Sequence, residues 1–188
     1  MIATALLLGG CASSAQHAQP TQTATAPTTT TAAHSAHLAP DLEAALPARV
    51  DGTALERVST TGAAIFGEFG GTAWAKQMTA FLTGIGKTPA DLRYAQAWDP
   101  SQNLNLDAGV FEIKGVSAVT LAAAILNSSL PDQPGPATSA TTIAGRPVTV
   151  AANPSTGSTL YLYQHADLVF YAGSDDTTLI TQYLRALP

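Results

Sequence analysis

The chain has 188 residues, with eight basic and 13 acidic side chains, a net charge of −5 and one cysteine. So few cations, without a basic stripe, exclude nucleic-acid binding, whose affinity comes mainly from Lys and Arg neutralising phosphates; Lys76, Lys87 and Lys114 are likewise too few to dock on anionic lipid. One cysteine cannot form an intrachain disulfide, so the fold must rest on its apolar core.

The chain opens with an apolar run, Ile2 to Leu8, followed by Gly9, Gly10 and Cys11. The run has signal-peptide length, far below the roughly 20 residues of a membrane-spanning helix. Leu8-Gly9-Gly10-Cys11 resembles a bacterial lipobox, which has an aliphatic residue three places before the cysteine and small residues between. The resemblance implies that residues 1–10 are a lipoprotein signal peptide and that Cys11 is acylated. It also implies that membrane lipid is the partner through Cys11 and that the protein sits on the extracytoplasmic face of the cell membrane. In an organism with two membranes, Ala12 resembles residues that permit sorting to the outer membrane. No Lys or Arg precedes Arg49, so the basic n-region is missing and a start codon farther upstream is expected.

Residues 11–40 read as the lipidated cysteine and a tether. From Ala12 to Pro40 there is no formal charge, and Ala, Thr, Ser, Gln and Pro dominate. Such composition cannot offset the entropy of ordering, so a disordered segment with a reach of about 30 Å is expected. Threonines beside Pro20 and Pro27 resemble O-glycosylated stalks. His17, His34 and His37 read as solvated tail residues, because no acidic or cysteine partner completes a metal site nearby in sequence. A chain beginning at Asp41 should therefore melt with one beginning at Ala12.

Residues 41–188 form one domain long enough to bury a full core. In chain order, Arg57 to Ser59 and Ala63 to Phe66 read as strands. A helix follows from an N-cap at Thr72, with Trp74, Met78, Phe81 and Leu82 on one face, ending at a left-handed Gly84. Thr88-Pro89-Ala90-Asp91 reads as a single helical turn with proline at its first position. Leu92 to Trp98 and Gly109 to Lys114 are strands flanking a turn-rich Asp99 to Asp107 segment. Ser117 opens a second helix, with Leu121, Ala122, Ile125 and Leu126 on one stripe, stopping before Asn127-Ser128-Ser129. Pro147 to Ala152, Thr159 to Gln164 and Leu168 to Ala172 read as an antiparallel meander, Pro147 marking a strand start or an edge. Ser174-Asp175-Asp176 opens the last helix, which turns Leu179, Ile180, Tyr183, Leu184 and Leu187 inward and sets Arg185 in its last turn.

Val50 to Val58 and Ile143 to Ala151 echo one another: an aliphatic residue, a polar or small one, glycine, then a strand. The echo predicts repeated β-β-α units, hence an α+β fold whose antiparallel sheet carries its helices on one face as a two-layer sandwich. Leu46-Pro47, Gly86-Lys87-Thr88-Pro89-Ala90-Asp91-Leu92, Lys114-Gly115-Val116, Ala144-Gly145-Arg146-Pro147-Val148-Thr149-Val150 and Leu187-Pro188 resemble uncharacterised secreted lipoproteins of high-GC Gram-positive bacteria. That family supplies no activity to carry over.

The chemistry-bearing residues favour structural roles. Ser174, His165 and Asp167 could be written as a triad, but no Gly-x-Ser-x-Gly elbow is present and a hairpin turn explains His165 and Asp167. Asp175 and Asp176 suit a helix start better than a cation. Gly67-Glu68-Phe69-Gly70-Gly71 lacks the lysine of a phosphate loop and reads as a flexible connection. Tyr161, Tyr163 and Tyr171 lie on strands, where packing is the default. No catalytic residue, metal site or cofactor is therefore expected. One function is a non-enzymatic binding module that engages an envelope protein or polymer. The alternative is a carrier of a lipid or other apolar molecule between sheet and helices; an extracytoplasmic hydrolase is the least supported reading. An apolar pocket of about 300 Å³ or more would favour the carrier, and a filled core the binding module.

Overall fold

The computed structural model describes residues 37–129, 138–152 and 159–188. In chain order they form α1 (Pro40–Ala45), β1 (Arg49–Val50), β2 (Thr53–Ala54), β3 (Glu56–Thr61), α2 (Gly62–Phe69), α3 (Ala73–Gly84), a 3-10 turn (Pro89–Asp91), β4 (Leu92–Trp98) and β5 (Asp107–Ile113). There follow α4 (Ala118–Ser129), β6 (Thr138–Ile143), β7 (Arg146–Ala152), β8 (Thr159–His165), β9 (Leu168–Gly173) and α5 (Thr177–Ala186). The fold is an α+β sandwich. Its seven-stranded sheet runs β3-β4-β5-β9-β8-β7-β6 with every neighbouring pair antiparallel, and β1 and β2 form a separate hairpin.

Capping chemistry sets the helix starts. The Thr72 hydroxyl accepts from the Ala75 N–H at 3.2 Å, Ser117 Oγ from the Thr120 N–H at 3.2 Å, and the Asp176 carboxylate from Thr178 and Leu179. At the 3-10 turn the Asp91 carboxylate accepts from both the N–H and the hydroxyl of Thr88 at 2.8 Å. Other expectations need correction. Ala63 to Phe66 is helical, within α2, because an apolar run of four residues carries no period that separates helix from strand. Helix α4 continues through Asn127, Ser128 and Ser129, Ser128 being buried with its hydroxyl donating to the Ile125 carbonyl at 3.0 Å. The left-handed residue after α3 is Gly86, not Gly84.

The echoed segments are two hairpins of one kind. Asp51 and Gly52, like Ala144 and Gly145, all have positive φ between the paired residues Val50↔Thr53 and Ile143↔Arg146. The first, β1–β2, stands apart from the main sheet, and the second, β6–β7, forms one edge of it.

The helices do not share one face, as the echo implied; they are divided between two. Alternation along the strands sorts the buried side chains into two clusters. Ala95, Ala97, Ala108, Val110, Phe170 and Ala172 pack with Leu42 and Leu46 beside α1 and with Leu179, Ile180, Tyr183, Leu184 and Leu187 of the α5 region. Leu92, Phe111, Ile113, Leu162, Val169 and Tyr171 point the opposite way, toward Met78 and Leu82 of α3 and Leu121, Ala122 and Ile125 of α4. Helix α1 is fastened to its face by polar contacts: Arg93 bonds both Asp41 and Glu112, and Ser59 Oγ donates to the Glu43 carboxylate.

The domain begins before Asp41. Residues 37–40, assigned above to the tether, pack on it: Ala39 is 2 % exposed, its N–H donates to Ser59 Oγ at 2.6 Å, and His37 bonds Glu43 at 2.8 Å. Glu43, six residues farther along the chain, is the acidic partner of His37.

Candidate functional site

On the α2–α3–α4 face the helices leave part of the sheet uncovered. A cleft of about 690 Å³ lies between α2, the start of α3 and strands β3, β4, β5 and β9. Tyr94, Phe111 and Tyr171 make its aromatic floor, Ile65, Phe69 and Trp74 its apolar wall, and Gln96 with Asp107 its polar end. Glu68 and Thr72 stand at the helical side, and Phe69 is 47 % exposed, an apolar ring left without cover. A smaller cavity of about 210 Å³ shares Trp74, Asp107, Phe111 and Tyr171 and reaches Ile125 and Leu160. The larger volume lies within the roughly 300–1,000 Å³ of small-molecule sites.

The floor depends on one glycine. Gly109 is centred on β5, opposite Gln96 of β4 and Tyr171 of β9. A Cβ there would stand 2.6 Å from Tyr171 Cε1 and 2.6 Å from the Ala95 carbonyl oxygen. With no side chain in the way, the Tyr171 ring lies across β5, reaching a strand that is two spacings, about 9.6 Å, from its own. Its hydroxyl meets that of Tyr94 at 2.7 Å and donates to Asp107 Oδ1 at 3.1 Å. Gln96 Nε2 approaches the same oxygen at 3.5 Å. The rings are layered too, with centroids 4.7 Å apart for Tyr94–Phe111, 5.5 Å for Phe111–Tyr171 and 6.3 Å for Tyr94–Tyr171.

Burial sets the electrostatics. Desolvation raises both phenols well above their ordinary range, so Tyr94 and Tyr171 stay protonated and polarise in a chain that ends on Asp107. Desolvation also raises the Asp107 carboxyl, against the lowering effect of its bonds from Tyr171 and Gln96. Solvent in the open cleft reaches Asp107, while the protein around it withholds the full hydration that would favour its charge. Among the described residues no Lys, Arg or His lines the cleft.

The residues singled out from sequence fall elsewhere or take structural roles. Leu8, Gly9, Gly10 and Cys11, with His17 and His34, lie outside the described residues. His165 ends β8 and Asp167 lies in the β8–β9 turn, while Ser174 follows the far end of β9, so the strand separates them by about 20 Å. Ser174 Oγ instead accepts from the Asp176 N–H at 3.1 Å, and His165 Nδ1 lies 3.3 Å from the Tyr163 hydroxyl. Asp176 is the N-cap of α5. Tyr161 and Tyr163 are buried on the α5 side, whereas Tyr171 belongs to the cleft. Gly67-Glu68-Phe69-Gly70-Gly71 is not a free loop: its first three residues complete α2, and Glu68 and Phe69 line the cleft. Among the described residues no three His, Cys, Asp or Glu side chains gather as a metal site, and no helix is long and apolar enough to cross a membrane.

Trp74, Tyr94, Gln96, Asp107 and Phe111 were not recognised as site residues from sequence. A glycine inside a strand, Gly109 between Ala108 and Val110, is the signal that could have pointed to them. No family model, curated protein or solved structure matches this chain significantly.

Proposed function

We propose that the protein is a membrane-anchored extracytoplasmic lipoprotein that carries an apolar small molecule in the cleft between α2–α3 and the sheet. The observation that carries this reading is a cleft of about 690 Å³ with an aromatic floor, an apolar wall and a few polar groups at one end. It exceeds the roughly 300 Å³ that separates a carrier from a filled binding module, and its composition matches that of ligand pockets generally. The lipobox-like Leu8-Gly9-Gly10-Cys11 and the uncharged segment after it support the anchor and the tether. The role is non-enzymatic, one of holding rather than transforming.

Two experiments test the parts separately. The neutral fluorophore N-phenyl-1-naphthylamine, titrated into the full chain carrying Cys11→Ser, should saturate at one site. Ala64→Trp, a substitution at an exposed position of the cleft wall, should abolish that binding by filling the space. No saturable binding, or binding indifferent to Ala64→Trp, would overturn the carrier in favour of an envelope-binding module. Cys11→Ser should separately move the protein from the membrane to the soluble fraction, and mass spectrometry should find the acyl mass on the native Cys11; an unmodified Cys11 would remove the anchor.

A further inference from the structure

We propose that the molecule carried in the cleft is an amphiphile whose polar end is a protonated amine, seated on Asp107. This rests on the cleft being a small-molecule site and adds the chemistry of its occupant. Both hydrogen bonds to Asp107 from described residues, from Tyr171 at 3.1 Å and Gln96 at 3.5 Å, fall on Oδ1. Its second oxygen has no partner among the described residues. Asp107 also takes part in no ion pair among the described residues.

The charge lining the cleft has one sign. Asp107 and Glu68 are its ionisable acids, and no cation among the described residues faces them. A carboxylate or phosphate end would meet a like charge in a partly desolvated setting, a costly arrangement. An ammonium would supply a countercharge that no described lining residue provides and donate to the second oxygen in a charge-assisted bond, while the aromatic rings of Tyr94, Phe111 and Tyr171 favour a cation beside them. The apolar remainder of the ligand would lie along Ile65, Phe69 and Trp74.

Decylamine, decanol and decanoate share one tail and differ only at the end, so they separate the head from the tail. Calorimetric titration of the full chain with Cys11→Ser at neutral pH should rank them amine, alcohol, carboxylate, with the amine roughly tenfold tighter than the alcohol. Asp107→Asn, close to isosteric, should remove the amine's advantage and bring amine and alcohol to equal affinity. Amine binding no tighter than alcohol binding in the unsubstituted cleft would overturn the amine assignment and leave the carrier intact; this arm does not depend on whether the variant folds. A preference for the amine that survives Asp107→Asn would overturn the role of Asp107. Binding of none of the three would remove both the carrier and its ligand class.

Discussion

The two faces of the sheet are made by the same strands, yet one packs a core against α1 and α5 and the other keeps a cleft. On the α1–α5 face β4 and β5 offer mostly small residues, Ala95, Ala97 and Ala108, while Tyr161, Tyr163 and Phe170 of the neighbouring strands pack with Leu179, Ile180, Tyr183 and Leu184 of α5. The alanines leave space beside the sheet that these large side chains occupy. On the other face the strands themselves carry the bulk, as Tyr94, Phe111 and Tyr171, and meet further bulk in Phe69 and Trp74. Flat rings opposed by more large side chains hold the backbones apart without filling the space between. The difference teaches that the cleft follows from how the helices meet the strands on each face, not from a lack of apolar residues.

That contrast can be broken from the α5 side first. Tyr183 is fully buried, so Tyr183→Ala should cost about 3–5 kcal/mol by urea denaturation. A small loss would mean that the α5 face is not tightly packed after all. Gly109→Ala comes next and should affect both stability and binding. The new methyl must displace the Tyr171 ring and strain against the Ala95 carbonyl, costing about 1–3 kcal/mol and weakening N-phenyl-1-naphthylamine binding. Unchanged binding would show that the floor does not depend on Tyr171.

Smaller effects sharpen the picture. A chain beginning at Asp41 loses the bond from the Ala39 N–H to Ser59 and should be less stable by about 1 kcal/mol than one beginning at Ala12, a few degrees in melting temperature. Equal melting would return residues 37–40 to the tether. The smallest effect concerns Asp107 and depends on pH. Burial raises its folded pKa above the unfolded value of about 3.9, so the folded state binds the proton more tightly and ionisation costs stability as pH rises through that interval. Asp107→Asn should therefore melt above the unsubstituted protein at pH 7, and the gap should close as the pH falls to about 3. A gap of the opposite sign would mean that the carboxylate stabilises the cleft, contrary to a group kept for binding at a cost to the fold.

Much of the fold was legible because local signals coincide with tertiary ones. Leu92 to Trp98 is β4 with both ends as expected, and Thr72, Ser117 and Asp176 cap their helices because a side-chain oxygen before an apolar period is enough to start one. Strand β6 was not legible, since Thr138 to Ala140 carry no apolar alternation on an edge strand largely exposed on both sides. Helix α1 was missed too: six residues give too short a period, and its hold on the sheet comes from Arg93 and Ser59, far away in the chain. The site was the least legible part. Tyr94, Asp107 and Tyr171 come from three strands, and each looks like an ordinary strand residue until the register places their oxygens together.

The sequence by itself determined the α+β class, the antiparallel pairing, the caps and the apolar stripes, because these follow from periods and hydrogen bonds within a few residues. It also determined the acidic balance of the domain, which the cleft inherits. Only the tertiary structure decided which face each helix covers, since an amphipathic stripe specifies that a helix is buried and not on which side of a sheet. It alone decided that Gly109 lets Tyr171 reach Tyr94 and Asp107, because a close approach between strands is a property of register and of an absent side chain.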